Sequence, residues 1–165
     1  MNMIDIWLDR LKDTGEDVDV MKASLEHLLC SIEYHRQVSK KKGKDVTILP
    51  KNIDDISVGD MIYVQLELNY PNELWYGHWC YVMKDVGSKF LIIPSTSLHD
   101  TFNEKYDMLI DTVINGQVSK SVLSLSDMRF IDKQRIDQRR PIGKVLTPKS
   151  KIRKRVFEFM EEEDD

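Results

Sequence analysis

The spacing of apolar residues changes character near residue 45. Before it they recur at helical intervals. Within Met3 to Asp13, Ile4, Trp7, Leu8 and Leu11 sit at i, i+3, i+4 and i+7, which places them on one face, and Thr14-Gly15 supplies a stop. From Asp17 to about His35, Met21, Leu25, Leu28 and Ile32 form a second stripe, and Asp17 or Asp19 near its start opposes the helix dipole. Gln37 to Lys44 carries four lysines and one glycine without apolar periodicity, the pattern of a solvated linker. Helices with a single apolar face cannot bury themselves, so this pair is expected to pack on the rest of the chain or on a second copy.

Beyond residue 45 the apolar runs are short and rich in Ile, Val and Tyr. Met61 to Leu68, Trp79 to Met83 and Phe90 to Ile93 are bounded by turn formers and predict strands. Val46 to Leu49 is a candidate strand ended by Pro50, and Ile53 to Val58 leads into a Gly59-Asp60 turn. Lys105 to Val113 and Ser119 to Leu125 flank Ile114-Asn115-Gly116-Gln117, and Asn-Gly between β-prone runs is a strong hairpin signal. Ser126 to Asp132 continues as strand or short turn, and Ile142 to Leu146 is the last strand. A helix follows, with Thr147 as N-cap and Pro148 at its first position, turning Ile152, Val156, Phe159 and Met160 toward the core. The expected fold class is mainly β with helices (α+β). Five to seven short strands and a C-terminal helix form a small, strongly bent barrel at 45–165, behind a helical N-terminal extension and basic linker at 1–44.

Composition narrows the setting. The 165 residues suffice for one domain with a real core and an appendage. A content of 41% hydrophobic and 32% charged residues suits a globular protein and argues against long disorder. Cys30 and Cys80 form no CxxC pair, so neither a disulfide framework nor a zinc site is indicated, and a reducing, cytoplasmic environment is expected. No apolar run approaches the roughly 18 residues of a membrane span, and MNMIDIWLDR lacks the basic start of a signal peptide, so no membrane association is expected. Net charge is −4, yet residues 129–155 hold eleven Lys and Arg against Asp132 and Asp137. Such a cluster fits nucleic-acid binding, and it fits equally a solvated surface facing the acidic tail Glu161 to Asp165 or an acidic partner.

Candidate chemistry gathers at the strand mouths, where Glu73, His78, Ser95, Thr96 and Ser97 interrupt the apolar runs. Tyr70, Trp75, Tyr76 and Trp79 crowd the same region. Aromatics beside cations hold single-stranded bases by stacking, although the same rings also suit a barrel core or a subunit interface. There is no phosphate-binding glycine loop, metal-ligand spacing or nucleophile elbow, so no metal or cofactor is expected.

In order and spacing, GDMIYVQL at 59–66, Glu73, WCYVMKD at 79–85, LIIPSTS at 91–97 and SVLSLSDMRFIDKQRI at 121–136 resemble the MazF/PemK toxins. These are small bacterial endoribonucleases of type II toxin-antitoxin systems. Arg129, Ile131, Asp132, Lys133 and Arg135 look like the family's Arg-x-Ile-Asp-Lys-x-Arg segment. The resemblance covers about Ile56 to Met160. It implies an SH3-like barrel, a homodimer, a groove that takes single-stranded RNA, and a cognate antitoxin that plugs the groove. It also implies a catalytic pair, the arginine of an Arg-Pro dipeptide and a Thr or Ser. Here His78-Trp79 stands at the Arg-Pro position and Thr96 at the hydroxyl position, with Glu73 in the preceding loop. RNA contacts are expected from Tyr70, Trp75, Tyr76, Trp79, Ser95, Ser97, Arg129, Lys133 and Arg135.

Metal-free RNA cleavage needs a base for the 2′-hydroxyl proton, an acid for the leaving 5′-oxygen and donors for the charge on the phosphate. A histidine with an ordinary pKa of about 6.5 can serve as base and acid, although its neutral ring stabilises charge less than arginine does. Thr96, Ser95 or Ser97 would donate to a phosphate oxygen, and Glu73 would orient or polarise His78. A simpler assignment packs His78 between Tyr76 and Trp79 and uses the hydroxyls for strand-end backbone groups. On that assignment the barrel is catalytically silent and binds a protein or nucleic acid through the same groove.

Overall fold

The chain divides into two compact units, Met1–Thr47 and Ile48–Asp165. The computed structural model describes residues 53–66, 74, 77–97 and 102–161, together with residues 28, 29 and 32 of the first unit. Those three are helical, with exposed side chains. The remainder of the two expected N-terminal helices, the linker and the Val46 to Leu49 strand lie outside the described residues.

Among its described residues the second unit has seven strands: β1 (Asp60–Gln65), β2 (Gly77–Asp85), β3 (Lys89–Ser97), β4 (Asp107–Ile114), β5 (Gln117–Ser124), β6 (Arg129–Asp132) and β7 (Gly143–Val145). Six of them close an antiparallel barrel in the order β2-β1-β7-β4-β5-β3, and β2–β3 pairing shuts the ring. On its other edge β3 has two successive partners: β6 along Lys89–Ile92 and β5 along Ser95–Ser97. Pro94, which has no N–H to offer, falls where β3 changes partner. After β6 the chain returns to β1, through a bridge between Ile136 and Val64 and a 2.9 Å bond from the Asp137 N–H to the Tyr63 carbonyl.

Strands β1 to β3 are apolar on both faces because each face meets its own core. Ile62, Val64, Cys80, Val82, Phe90 and Ile92 point into a first cluster completed by Ile53, Ile56, Ile131 and Ile136. The alternate residues Met61, Tyr81 and Ile93 join Met108, Ile110, Leu123 and the helix residues Ile152 and Val156 in a second. Double-sided burial explains why these strands read as continuous apolar runs, whereas β4 alternates between buried Met108, Ile110 and Thr112 and exposed Leu109 and Asp111.

Turn chemistry follows the sequence closely. Asn115 and Gly116 adopt φ values of 52° and 75°, and Ile114 pairs with Gln117, which is the tight two-residue hairpin expected of Asn-Gly. The C-terminal helix, Lys149–Glu161, departs from expectation at both ends. Its first carbonyl acceptor is Pro148, which bonds Lys151 and Ile152, so Pro148 precedes the helix rather than opening it. The Thr147 hydroxyl instead accepts the Asp111 N–H at 2.9 Å and ties the helix entrance to β4. Met160, expected in the core, is 65% exposed. At about 100° per residue it lies roughly 80° around the helix from Ile152, past the face that the barrel covers.

Candidate functional site

His78 is the second residue of β2, opposite Val64 of β1; Thr96 is the penultimate residue of β3, opposite Val122 of β5. The β2–β3 register pairs Cys80 with Pro94 and Trp79 with Ser95, and one further step sets His78 beside Thr96. Residues directly opposed across two strands have Cβ atoms roughly 4.5–5.5 Å apart. Strand alternation puts both on the face that carries Cys80, Val82 and Ile92, and both are half-buried. His78 Nδ1 lies 3.3 Å from the Ser95 carbonyl oxygen. A carbonyl only accepts, so Nδ1 carries the proton, and Nε2 of the neutral ring holds the lone pair able to take one.

The neighbouring hydroxyls differ from Thr96. Ser95 is buried on the opposite face and donates to the Trp79 carbonyl at 2.9 Å, so its hydroxyl serves the sheet. Ser97 is exposed at the end of β3, opposite Ser121. Trp79 also lies on the opposite face from His78, packing on the second cluster and edge-on to Tyr63 at 5.5 Å. Glu73, Tyr70, Trp75 and Tyr76 lie outside the described residues.

The His78 face also carries Arg129, one of the expected RNA contacts, in a network centred on Asp127, which the sequence does not single out. Arg129, opposite Ile92, donates from Nε to the Asp127 carbonyl at 3.1 Å and from Nη2 to Asp127 Oδ1 at 3.0 Å. The same carboxylate accepts the Ser124 hydroxyl at 2.8 Å and the Leu74 N–H at 3.1 Å. Leu74, packed against the first cluster, is thereby tied to the turn before β6. Arg129 also acts on Cys80. Burial pushes that thiol far above the ordinary thiol range, and the guanidinium charge pulls the other way. The sequence signal for this network was faint, a Ser-rich turn with one aspartate two residues before an arginine.

The basic run of residues 129–155 does not act as one block. Lys133 is buried, bonded to Asp85 at 2.9 Å and 4.3 Å from the centre of the Phe90 ring, so its ammonium secures the β2–β3 hairpin. Lys144 pairs with buried Asp60 at 2.8 Å, Arg139 with Asp137 at 2.8 Å, and Arg155 holds the carbonyls of Glu104 and Lys105. Arg135 and the Asp127-bonded Arg129 also line a recess of about 440 Å³ with Lys89, Asp132, Phe130 and Leu66. Among the described residues, no three His, Cys, Asp or Glu side chains are grouped to hold a metal ion, and no helix is long and apolar enough to cross a membrane. Neither the models of known protein families nor the curated proteins provide a match to this chain.

Proposed function

We propose that this chain is a metal-independent endoribonuclease cutting single-stranded RNA, the toxin of a type II toxin-antitoxin pair with a MazF/PemK-like, SH3-like barrel. The observation that carries the reading is the placement of His78 and Thr96 on one face, in adjacent strands, with Nδ1 of the imidazole engaged by a backbone carbonyl. In the proposed reaction Nε2 accepts the 2′-hydroxyl proton as that oxygen attacks the adjacent phosphorus. The P–O5′ bond then breaks and the imidazolium returns the proton to the 5′-oxygen. The Thr96 hydroxyl donates to a non-bridging oxygen as charge develops. The Ser95 carbonyl holds Nδ1 of the ring, and Glu73 is proposed to orient or polarise the same imidazole. From the same resemblance we propose a homodimer, a cognate antitoxin over the groove and a cytoplasmic setting.

A second reading, a catalytically silent barrel that binds nucleic acid or protein through this face, is favoured by the replacement of the family's arginine with His78. Single-turnover cleavage separates the two. His78→Ala is expected to slow scission by on the order of 100-fold or more, and Thr96→Ala by less, since it removes one neutral donor. Equal cleavage rates in wild type and His78→Ala reject His78 as the catalytic group, and RNA that is bound and never cut selects the silent barrel.

A further inference from the structure

The recess beside β6 has the composition of a ligand site rather than of a packing defect. Lys89, Arg129, which also donates to Asp127, and Arg135 line it from β3, β6 and the 3-10 turn Lys133–Arg135, beside the carboxylate of Asp132. That carboxylate accepts the Gln134 N–H at 2.9 Å and so caps the turn that carries Arg135. Phe130 lines the recess with 57% of its surface exposed, an aromatic ring left in water beside cations. About 440 Å³ falls within the range of small-molecule sites. Arg129 belongs both to this recess and to the face that carries His78 and Thr96.

We infer that the recess is a nucleotide subsite, in which Lys89, Arg129 and Arg135 take a phosphate of single-stranded RNA and Phe130 stacks on the attached base. Its position next to the cleaved linkage rests on the endoribonuclease reading; its ligand chemistry does not. Cations alone would suit an acidic peptide equally well. The exposed ring among them favours a nucleotide, because every base offers a face for stacking.

The test uses the full chain and a fluorescent, fully 2′-O-methylated RNA oligonucleotide, which lacks the attacking hydroxyl, with binding followed by anisotropy across a salt series. Lys89→Gln and Arg135→Gln should each weaken binding and lower the slope of log affinity against log salt, by up to about 0.7, the increment for the one phosphate these cations share. Phe130→Ala should weaken binding about 5- to 140-fold. Lys120→Gln, an exposed cation on β5, should match wild type. Lys89 and Phe130 are exposed, so their truncation leaves the core filled, and unchanged thermal melts verify this. Salt slopes equal to wild type in both cation variants overturn the subsite, as does Phe130→Ala binding at full strength. Displacement of the RNA by an equal concentration of poly-glutamate of matched charge also overturns it, in favour of a general anion surface. Wild type that shows the expected slopes yet leaves ordinary RNA intact upholds the subsite and removes the endoribonuclease reading.

Discussion

Asp127 is the residue whose loss should be felt most widely around the candidate site. Asp127→Ala deletes a carboxylate that accepts from Arg129 Nη2 at 3.0 Å, Ser124 Oγ at 2.8 Å and the Leu74 N–H at 3.1 Å. Hydrogen bonds to a charged group contribute about 1.5–3 kcal/mol each, and a partly solvated ion pair about 1 kcal/mol. The Arg129 and Asp127 side chains are 25% and 13% exposed, so water replaces part of what is lost. We therefore expect a destabilisation of about 3–4 kcal/mol, which for a barrel of this size lowers Tm by roughly 10 °C. Urea unfolding should show a lower midpoint with an unchanged slope, because the folded barrel remains equally compact. Asp127→Asn keeps the shape and one acceptor, and should recover about half of the loss. Amide exchange at Leu74 gives an independent reading, since its N–H loses its acceptor across 53 residues of chain and should exchange faster. A loss under about 1 kcal/mol in Asp127→Ala, or unaltered exchange at Leu74, would refute the anchoring role.

Further expectations concern single groups. In a Cys30→Ser background the Cys80 thiol, raised by burial, should resist a thiol reagent at pH 8 until the protein unfolds, and rapid native labelling contradicts its placement in the first cluster. The Arg139 side chain bonds both Asp137 oxygens at 2.8 Å and holds that carboxyl below the ordinary aspartate range, against the opposing effect of partial burial. A depressed folded value contributes stability above the unfolded pKa of about 3.9 and loses it as pH falls through the folded value. Arg139→Gln should raise the Asp137 midpoint in an NMR titration, and an unmoved midpoint rejects the pair. Lys133→Met should destabilise the β2–β3 hairpin by leaving Asp85 without its ammonium, read as a lower urea midpoint; a variant as stable as wild type shows that the Asp85 contact contributes nothing.

Much of the barrel was legible where chemistry is local. The Asn115-Gly116 hairpin requires positive φ at consecutive residues, a demand few other dipeptides meet. Strands β1 to β3 announced themselves because both faces are buried. Their ends did not. β2 extends to Gly77 and Asp85, and β3 to Ser97, because neighbouring strands supply backbone partners to residues whose side chains are polar. The proximity of His78 and Thr96 is a matter of register, which the residues themselves do not display. Lys133 looked like its basic neighbours, yet its partner, Asp85, stands 48 residues away. Asp127 is inconspicuous in the sequence for the same reason, since its bond to Leu74 depends on the barrel having closed.

The central claim is tested most directly by the chemistry of the RNA ends. Wild-type protein incubated with a long, unstructured RNA in excess EDTA should release fragments carrying 2′,3′-cyclic phosphate and 5′-hydroxyl ends, because the nucleophile is the substrate's own 2′-hydroxyl. DNA of the same sequence should remain intact. RNA left whole after long incubation, or cut to 5′-phosphate ends, contradicts the assignment of His78 and Thr96 as the cleaving pair.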